Sequence, residues 1–397
     1  MRSSRVLAVA CLIFVLSMPA ALLGAPNPNT KTVVDRVGDV GEYPSMRLDS
    51  AGNPVISYYD ISKGNLKVAH CKRPDCRART ITSPDTSGDV GRWSSLALDA
   101  NGHPIVSYYD ASNGDLKILH CNDPDCSGGD ESITVPDTGG VFGGNVGFGS
   151  SLAIDSDGNP VVSYFDLTNR DLRILHCNDP NCSGGDESIT IPDTFPSVNF
   201  NDEMVDRTSL RLDVNDYPVV AYFDAWENRD LRVLHCNDPN CSGGNENLTA
   251  PDTNGWVGFS PALVLDANGN PIVSYGEFAG TSKILHCYDP NCGGVNNSIT
   301  TPDPASAGRW FSLALDGSGN PVASYHDLLS GDLKLLHCND TDCSGSNENI
   351  SVPDAKGVVG YNGTSLVLDG NGNPIVAYHD ATDRNLKLLR CSNINCN

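Results

Sequence analysis

Apolar residues in this chain come in short runs, each cut off by Gly, Asn, Asp or Pro. Beyond the N-terminal segment none keeps a helical period. The runs recur as one text. It reads Ser95-Leu-Ala-Leu-Asp99, a turn Ala-Asn-Gly-His-Pro104, then Ile-Val-Ser-Tyr-Tyr-Asp110. A second turn, Ala-Ser-Asn-Gly-Asp115, leads to Leu-Lys-Ile-Leu-His-Cys121, and after a loop comes Ser132-Ile-Thr-Val-Pro-Asp137. These are four short strands, lettered a to d, rich in the residues that suit a pleated, half-buried surface.

The set occurs seven times, and the cysteine that ends strand c recurs after 50, 56, 59, 51, 51 and 53 residues. Repeated units of four antiparallel strands predict an all-β fold, a seven-bladed β-propeller. The rival is an open array of small domains, but one such repeat makes a weak core on its own. The chain ends separate the two. The seventh repeat stops at Cys396 without a strand d, while Thr32-Val-Val-Asp35 near the start matches Thr134-Val-Pro-Asp137. An N-terminal strand that closes the last blade removes two exposed sheet edges.

Each repeat carries two cysteines with four residues between: Cys71 and Cys76, Cys121 and Cys126, Cys177 and Cys182, Cys236 and Cys241. The series continues with Cys287 and Cys292, Cys338 and Cys343, Cys391 and Cys396, and the one remaining cysteine is Cys11. The simplest connectivity is a disulfide inside each repeat, closing the c–d hairpin. Zinc would need two such pairs converging, and neighbouring pairs sit a blade apart.

Residues 1–25 read as a secretory signal and 26–397 as one propeller domain. Arg2 and Arg5 precede an uncharged apolar stretch from Val6 to Leu23, followed by Gly24 and Ala25. An uncleaved anchor is the alternative. Export to a secreted, extracellular location suits the disulfide reading. The net charge of −23 and the lack of any basic stripe exclude a nucleic-acid partner, and no membrane insertion is expected after signal cleavage. A monomer is expected.

Several charged positions recur in every repeat. Asp60, Asp110, Asp166, Asp224, Asp327 and Asp380 end strand b, with Glu277 in the fifth repeat. Strand c starts with Lys67, Lys117, Arg173, Arg232, Lys283, Lys334 or Lys387. One acid and one base per blade predict structural ion pairs; the sharper alternative is a ring of charges at a channel mouth. Asp49, Asp99, Asp155, Asp266, Asp316 and Asp369 open the a–b turns, where Asp commonly bonds its own backbone. No cofactor is expected, with calcium at these turns as the one candidate. His70, His120, His176, His235, His286 and His337 precede the first cysteine, which marks a scaffold role; Arg390 replaces them in the seventh repeat.

Function is sought where the copies differ. Two d–a connections are long, through Gly139–Gly149 and Phe195–Asp206. Aromatics gather where strand a begins, and Trp93, Phe148, Trp256, Trp310 and Tyr361 are candidate ligand contacts, with Trp226 in a b–c loop. Flat rings suit the apolar face of a sugar, with Asn and Asp nearby for its hydroxyls. His326 and His379 replace a strand-b tyrosine in adjacent repeats and are the candidate catalytic pair. Arg92 and Arg309 fall in blades too far apart to clamp one carboxylate.

The Ser-Leu-Ala-Leu-Asp, Ser-Tyr-Tyr-Asp and Gly-Asp-Leu-Lys texts resemble repeats of secreted bacterial seven-bladed propellers, grouped with sialidase-like and lectin-like propellers. The resemblance covers residues 32–396. The Ser-x-Asp-x-Gly-x-x-Trp boxes of sialidases are missing. The expectation is a non-catalytic extracellular module that binds glycans or proteins. The alternative is a carbohydrate-active enzyme, a polysaccharide lyase or glycoside hydrolase, with a pocket on the top face.

Overall fold

Each run that starts with Pro and ends with Asp or Glu forms a strand b. Strand β3 (Pro54–Asp60) is buried at every position. Its leading proline lacks an N–H and opens the strand where no donor is needed. Outer strands differ: Ser132–Asp137 alternates half-buried and exposed, since only one face meets protein.

The computed structural model describes residues 28–140, 143–195, 207–225, 227–278 and 280–397. The signal reading of 1–25, Trp226 and most of the long 195–206 connection lie outside them. The described residues form seven sheets of four antiparallel strands each, a seven-bladed β-propeller. Blade 1 is β2 (Val40–Leu48), β3, β4 (Asn65–Cys71) and β5 (Arg79–Asp85), from channel to rim. In blade 7, β26 (Val359–Leu368), β27 (Pro374–Asp380) and β28 (Asn385–Arg390) take β1 (Thr30–Asp35) as their outer strand. The pairing is antiparallel, with Thr32 opposite Leu388. The ring closes as the N-terminal match predicted.

The apolar core lies between blades. Six of the seven buried clusters join two neighbouring blades and the seventh reaches a third through Phe259; Met46, Ile56 and Tyr58 of blade 1, for instance, pack on Ile375, Ala377 and Leu386 of blade 7. A single repeat would therefore expose half of two cores, which is the physical case against independent domains. Close approach at the seams needs glycine. Gly91 has φ +107, and a Cβ there would lie 2.7 Å from Leu66 Cα of the preceding blade.

Candidate functional site

The repeated charges are used up in holding blades together. Lys117 Nζ bridges Asp110 of its own blade at 3.1 Å and Asp85, on strand d of the preceding blade, at 3.0 Å. The buried Tyr108 hydroxyl donates to the same Asp85 at 2.8 Å. Equivalent tyrosines, Tyr58, Tyr164, Tyr222, Tyr275, Tyr325 and Tyr378, donate to Asp35, Asp137, Asp193, Asp252, Asp303 and Asp354. The charges thus sit in buried seams as paired groups. Sequence reasoning found the strand-b acid and the strand-c base but missed the tyrosine and the strand-d aspartate. Both were visible as constant letters of the repeat.

The histidines before the cysteines form a second set of seam contacts. His176 faces Asp155 of its own a–b turn at 2.9 Å and Asn240, in the next blade's cysteine loop, at 2.8 Å. Arg390 keeps the turn contact alone, at 3.2 Å from Asp369. The turn aspartates mainly accept backbone donors: Asp99 Oδ1 takes Asn101 N at 2.8 Å and His103 N at 2.7 Å. All seven cysteine pairs are disulfides within their own repeats.

The d–a and b–c loops share the top face, and there a cleft of about 600 Å³ opens between blades 1 and 2. Glu42, Tyr43, Tyr59, Ser62, Asp89 and Arg92 line it. Tyr59 donates to Asp89 Oδ1 at 2.6 Å, and Arg92 pairs with Asp89 Oδ2 at 2.6 Å. The Ser112 hydroxyl accepts from Asp89 N at 2.8 Å and fixes the loop. The Arg92 guanidinium lies 5.4 Å from the centre of the Tyr59 ring, and its buried Nε has no hydrogen-bond partner. Burial and the bond to Asp89 push the Tyr59 phenol up to about 12. Glu42 accepts from Asn362 at 2.7 Å. Sequence reasoning missed the cleft itself: it weighed Arg92 only as a carboxylate clamp with Arg309 and passed over Asp89, three residues before it in the same connection.

The aromatic candidates divide into three groups. Trp93 lies 4.9 Å from Tyr43 and 3.7 Å from Phe148, giving a continuous arc over blades 1 to 3, beside the cleft. The positive φ of 50 at both Tyr43 and Trp93 marks the bulge that turns these rings out of strand a. Trp256 packs with Phe278 at 4.7 Å and carries the Arg229 guanidinium at 3.8 Å. Trp310 meets Tyr361 at 4.6 Å and His326 at 5.5 Å, over blades 6 and 7. Arg309 stacks on Phe259 at 4.6 Å, far around the ring from the Arg92 cleft.

His326 and His379 serve different seams. His326 Nδ1 donates to Val359 O of blade 7 at 2.8 Å, and burial lowers its pKa. His379 Nε2 lies 3.4 Å from Asp39 Oδ1, in the loop leading into blade 1. The equivalent Tyr59 and Tyr109 likewise reach the next blade's loop, at Asp89 and Asn145. Among the described residues no ring contact joins the two histidines.

No helix of the described residues is long and apolar enough to cross a membrane. No protein-family model matches the chain, and no curated protein matches it. Solved structures do match. A protein of unknown function from Dyadobacter fermentans is 12% identical with a TM-score of 0.53, over 91% of this chain and 96% of that one. A polysaccharide lyase, an ulvan lyase, is 13% identical with a TM-score of 0.53, over 92% and 94%. A sialidase from Streptococcus pneumoniae is 13% identical with a TM-score of 0.48, over 93% and 71%. At these identities the likeness is one of fold, and the fold is a propeller.

Proposed function

We propose that this protein is an exported, non-catalytic binding propeller whose ligand is a glycan, held on the top face of blades 1 to 3. One observation carries the reading: the Tyr43–Trp93–Phe148 arc is continuous with the cleft that holds Arg92, Asp89 and Glu42. The tilted rings offer apolar surface for the C–H side of a sugar. The half-exposed Arg92 guanidinium and the Glu42 carboxylate, both in the cleft wall, offer a donor and an acceptor for its hydroxyls. Seven local disulfides support an oxidising, extracellular setting.

The convergence of Tyr59, Arg92 and two carboxylates favours a second reading, a lyase or hydrolase in the same cleft. Proton transfer near neutral pH needs a group poised near that pH. Tyr59 is held protonated, at about 12, and Asp89 is tied by both neighbours, so binding is the better account. A glycan array with the mature protein, Trp93→Ala and Arg92→Ala tests it. Wild type should bind a defined glycan class and both variants should lose it while staying folded. Binding to no glycan, or unchanged binding by both variants, would sink the reading.

A further inference from the structure

The axial channel holds a second feature, independent of the top face. Its wall is strand a of every blade, with alternate residues pointing inward. One inward position reads Ser45, Ser95, Ser151, Ser209, Ala262, Ser312 and Ser365. Each serine oxygen accepts a backbone N–H from the next blade: Leu96 on Ser45, Leu152 on Ser95, and so on to Met46 on Ser365, all at 2.9 or 3.0 Å. With the oxygens so used, six hydroxyl protons remain as donors beside the channel.

Two residues further along strand a, most blades carry Ala or Val, at Ala97, Ala153, Val264, Ala314 and Val367. Blades 1 and 4 carry Arg47 and Arg211 instead, and both line the channel cavity of about 110 Å³. Arg47 Nη1 donates to Met46 O at 2.9 Å and Arg211 Nη1 to Leu210 O at 2.8 Å. Their partners among the described residues are these backbone carbonyls, and no Asp or Glu lines this cavity. This is unusual in a chain of net charge −23, where every strand-c cation is paired. Both arginines are half-buried, and two cations that line one cavity repel each other.

We propose that the axial channel is an anion site. Arg47 and Arg211 supply the charge, the serine ring supplies neutral donors, and the ligand is a small oxyanion or a carboxylate group. Burial lowers both guanidinium pKa values, Arg211 to about 10 with Arg47 contributing, and a bound anion would reverse that pressure. Arg207 lines the same cavity and the upper mouth beside Tyr43 and Trp93, which places a third cation along the axis.

A free oxyanion and the acid group of a sugar share this chemistry, so two arms are needed. The first titrates inorganic sulfate against chloride at matched ionic strength and follows thermal unfolding and calorimetric binding. The second repeats this with a glucuronate disaccharide. Wild type should be stabilised by at least one of them beyond chloride. Arg47→Met with Arg211→Met should lose affinity tenfold or more, the scale of lost charge-assisted bonds. Arg211→Lys keeps the charge and serves if the double variant misfolds; it should bind several times more weakly. Response to neither ligand beyond chloride, or an equal response in wild type and variants, would overturn the proposal.

Discussion

The Tyr58 hydroxyl donates to Asp35 Oδ2 across 2.8 Å, joining strand b of blade 1 to the N-terminal strand that completes blade 7. Lys67 reaches the same carboxylate and also lies 3.8 Å from Asp60. Ring closure therefore rests on a buried three-part polar contact as well as on strand pairing. Tyr58→Phe should cost about 1.5–3 kcal/mol, one hydrogen bond to a charged group. Lys67→Met should cost about 3–5 kcal/mol, because it strands two buried carboxylates. Denaturant unfolding of the two variants should give that order; equal losses would contradict it.

The same contacts set the acid limit. Burial alone would raise Asp35, Asp327 and Asp354, but their lysine and hydrogen-bond partners outweigh it and hold all three below the ordinary 3.8. Their contribution is complete above about pH 4 and is lost as pH falls through the depressed values. His326, lowered by burial from 6.5, adds a shallower loss that begins as pH drops below 6.5. Asp193 is raised by burial and opposes the trend. Burial raises the seam tyrosines above their ordinary 10.0, so stability falls as pH climbs past 10 and the unfolded chain ionises first; Lys117, Lys334 and Lys387, raised above 10.5 by their carboxylates, add to the loss at higher pH. Thermal unfolding against pH should show a plateau from about 6.5 to about 10.

Each disulfide closes a small ring. By the chain-entropy relation a ring of this size is worth about 2 kcal/mol. Replacing Cys177 and Cys182 together by Ala should cost about that much and leave the other bridges in place. Peptide mapping without reduction should find every pair within its own repeat. Free thiols in protein purified without reductant, or bound zinc, would count against the assignment.

The serine ring is broken at one seam, where Ala262 faces Leu313 between blades 5 and 6. Ala262→Ser restores the missing acceptor and should raise stability by up to about 1 kcal/mol. Deeper in the seams, Ser107 pairs with Ser150 at 2.9 Å and Ser163 with Thr208 at 2.7 Å, while the buried Ser274 hydroxyl has no partner. Ser274→Ala should be neutral or stabilising, and Ser163→Ala should cost about 1 kcal/mol. Matching values for these two alanine variants would show the pairing to be irrelevant.

In the proposed glycan cleft, Trp93 and Trp310 give an internal control. Trp93 joins the arc beside Arg92, while Trp310 belongs to the separate cluster with His326 and Tyr361. Trp93→Ala should reduce glycan affinity about tenfold or more, the scale of a lost aromatic anchor. Trp310→Ala should leave it within twofold. The reverse order would move the site to blades 6 and 7.

What the sequence determined by itself was everything that repeats. Strands, turns, blade number, local disulfides and the closing strand are each written seven times or by a matched fragment, because local backbone chemistry and a seam repeated around a ring leave periodic marks. Tertiary structure decided what lies across seams and around the ring. It showed that Asp85 belongs with Tyr108 and Lys117 of the next blade, that Trp93 reaches both Tyr43 and Phe148, and that His326 and His379 face different neighbours. It also brought Arg47 and Arg211 into one cavity, although more than 160 residues separate them. Such meetings depend on ring geometry, and no spacing along a single blade encodes them. The strand at residues 30–35 was legible as a closing strand because edge pairing is periodic; Trp93 and Phe148 were legible as departures from the period, but their assembly with Tyr43 and Arg92 was not.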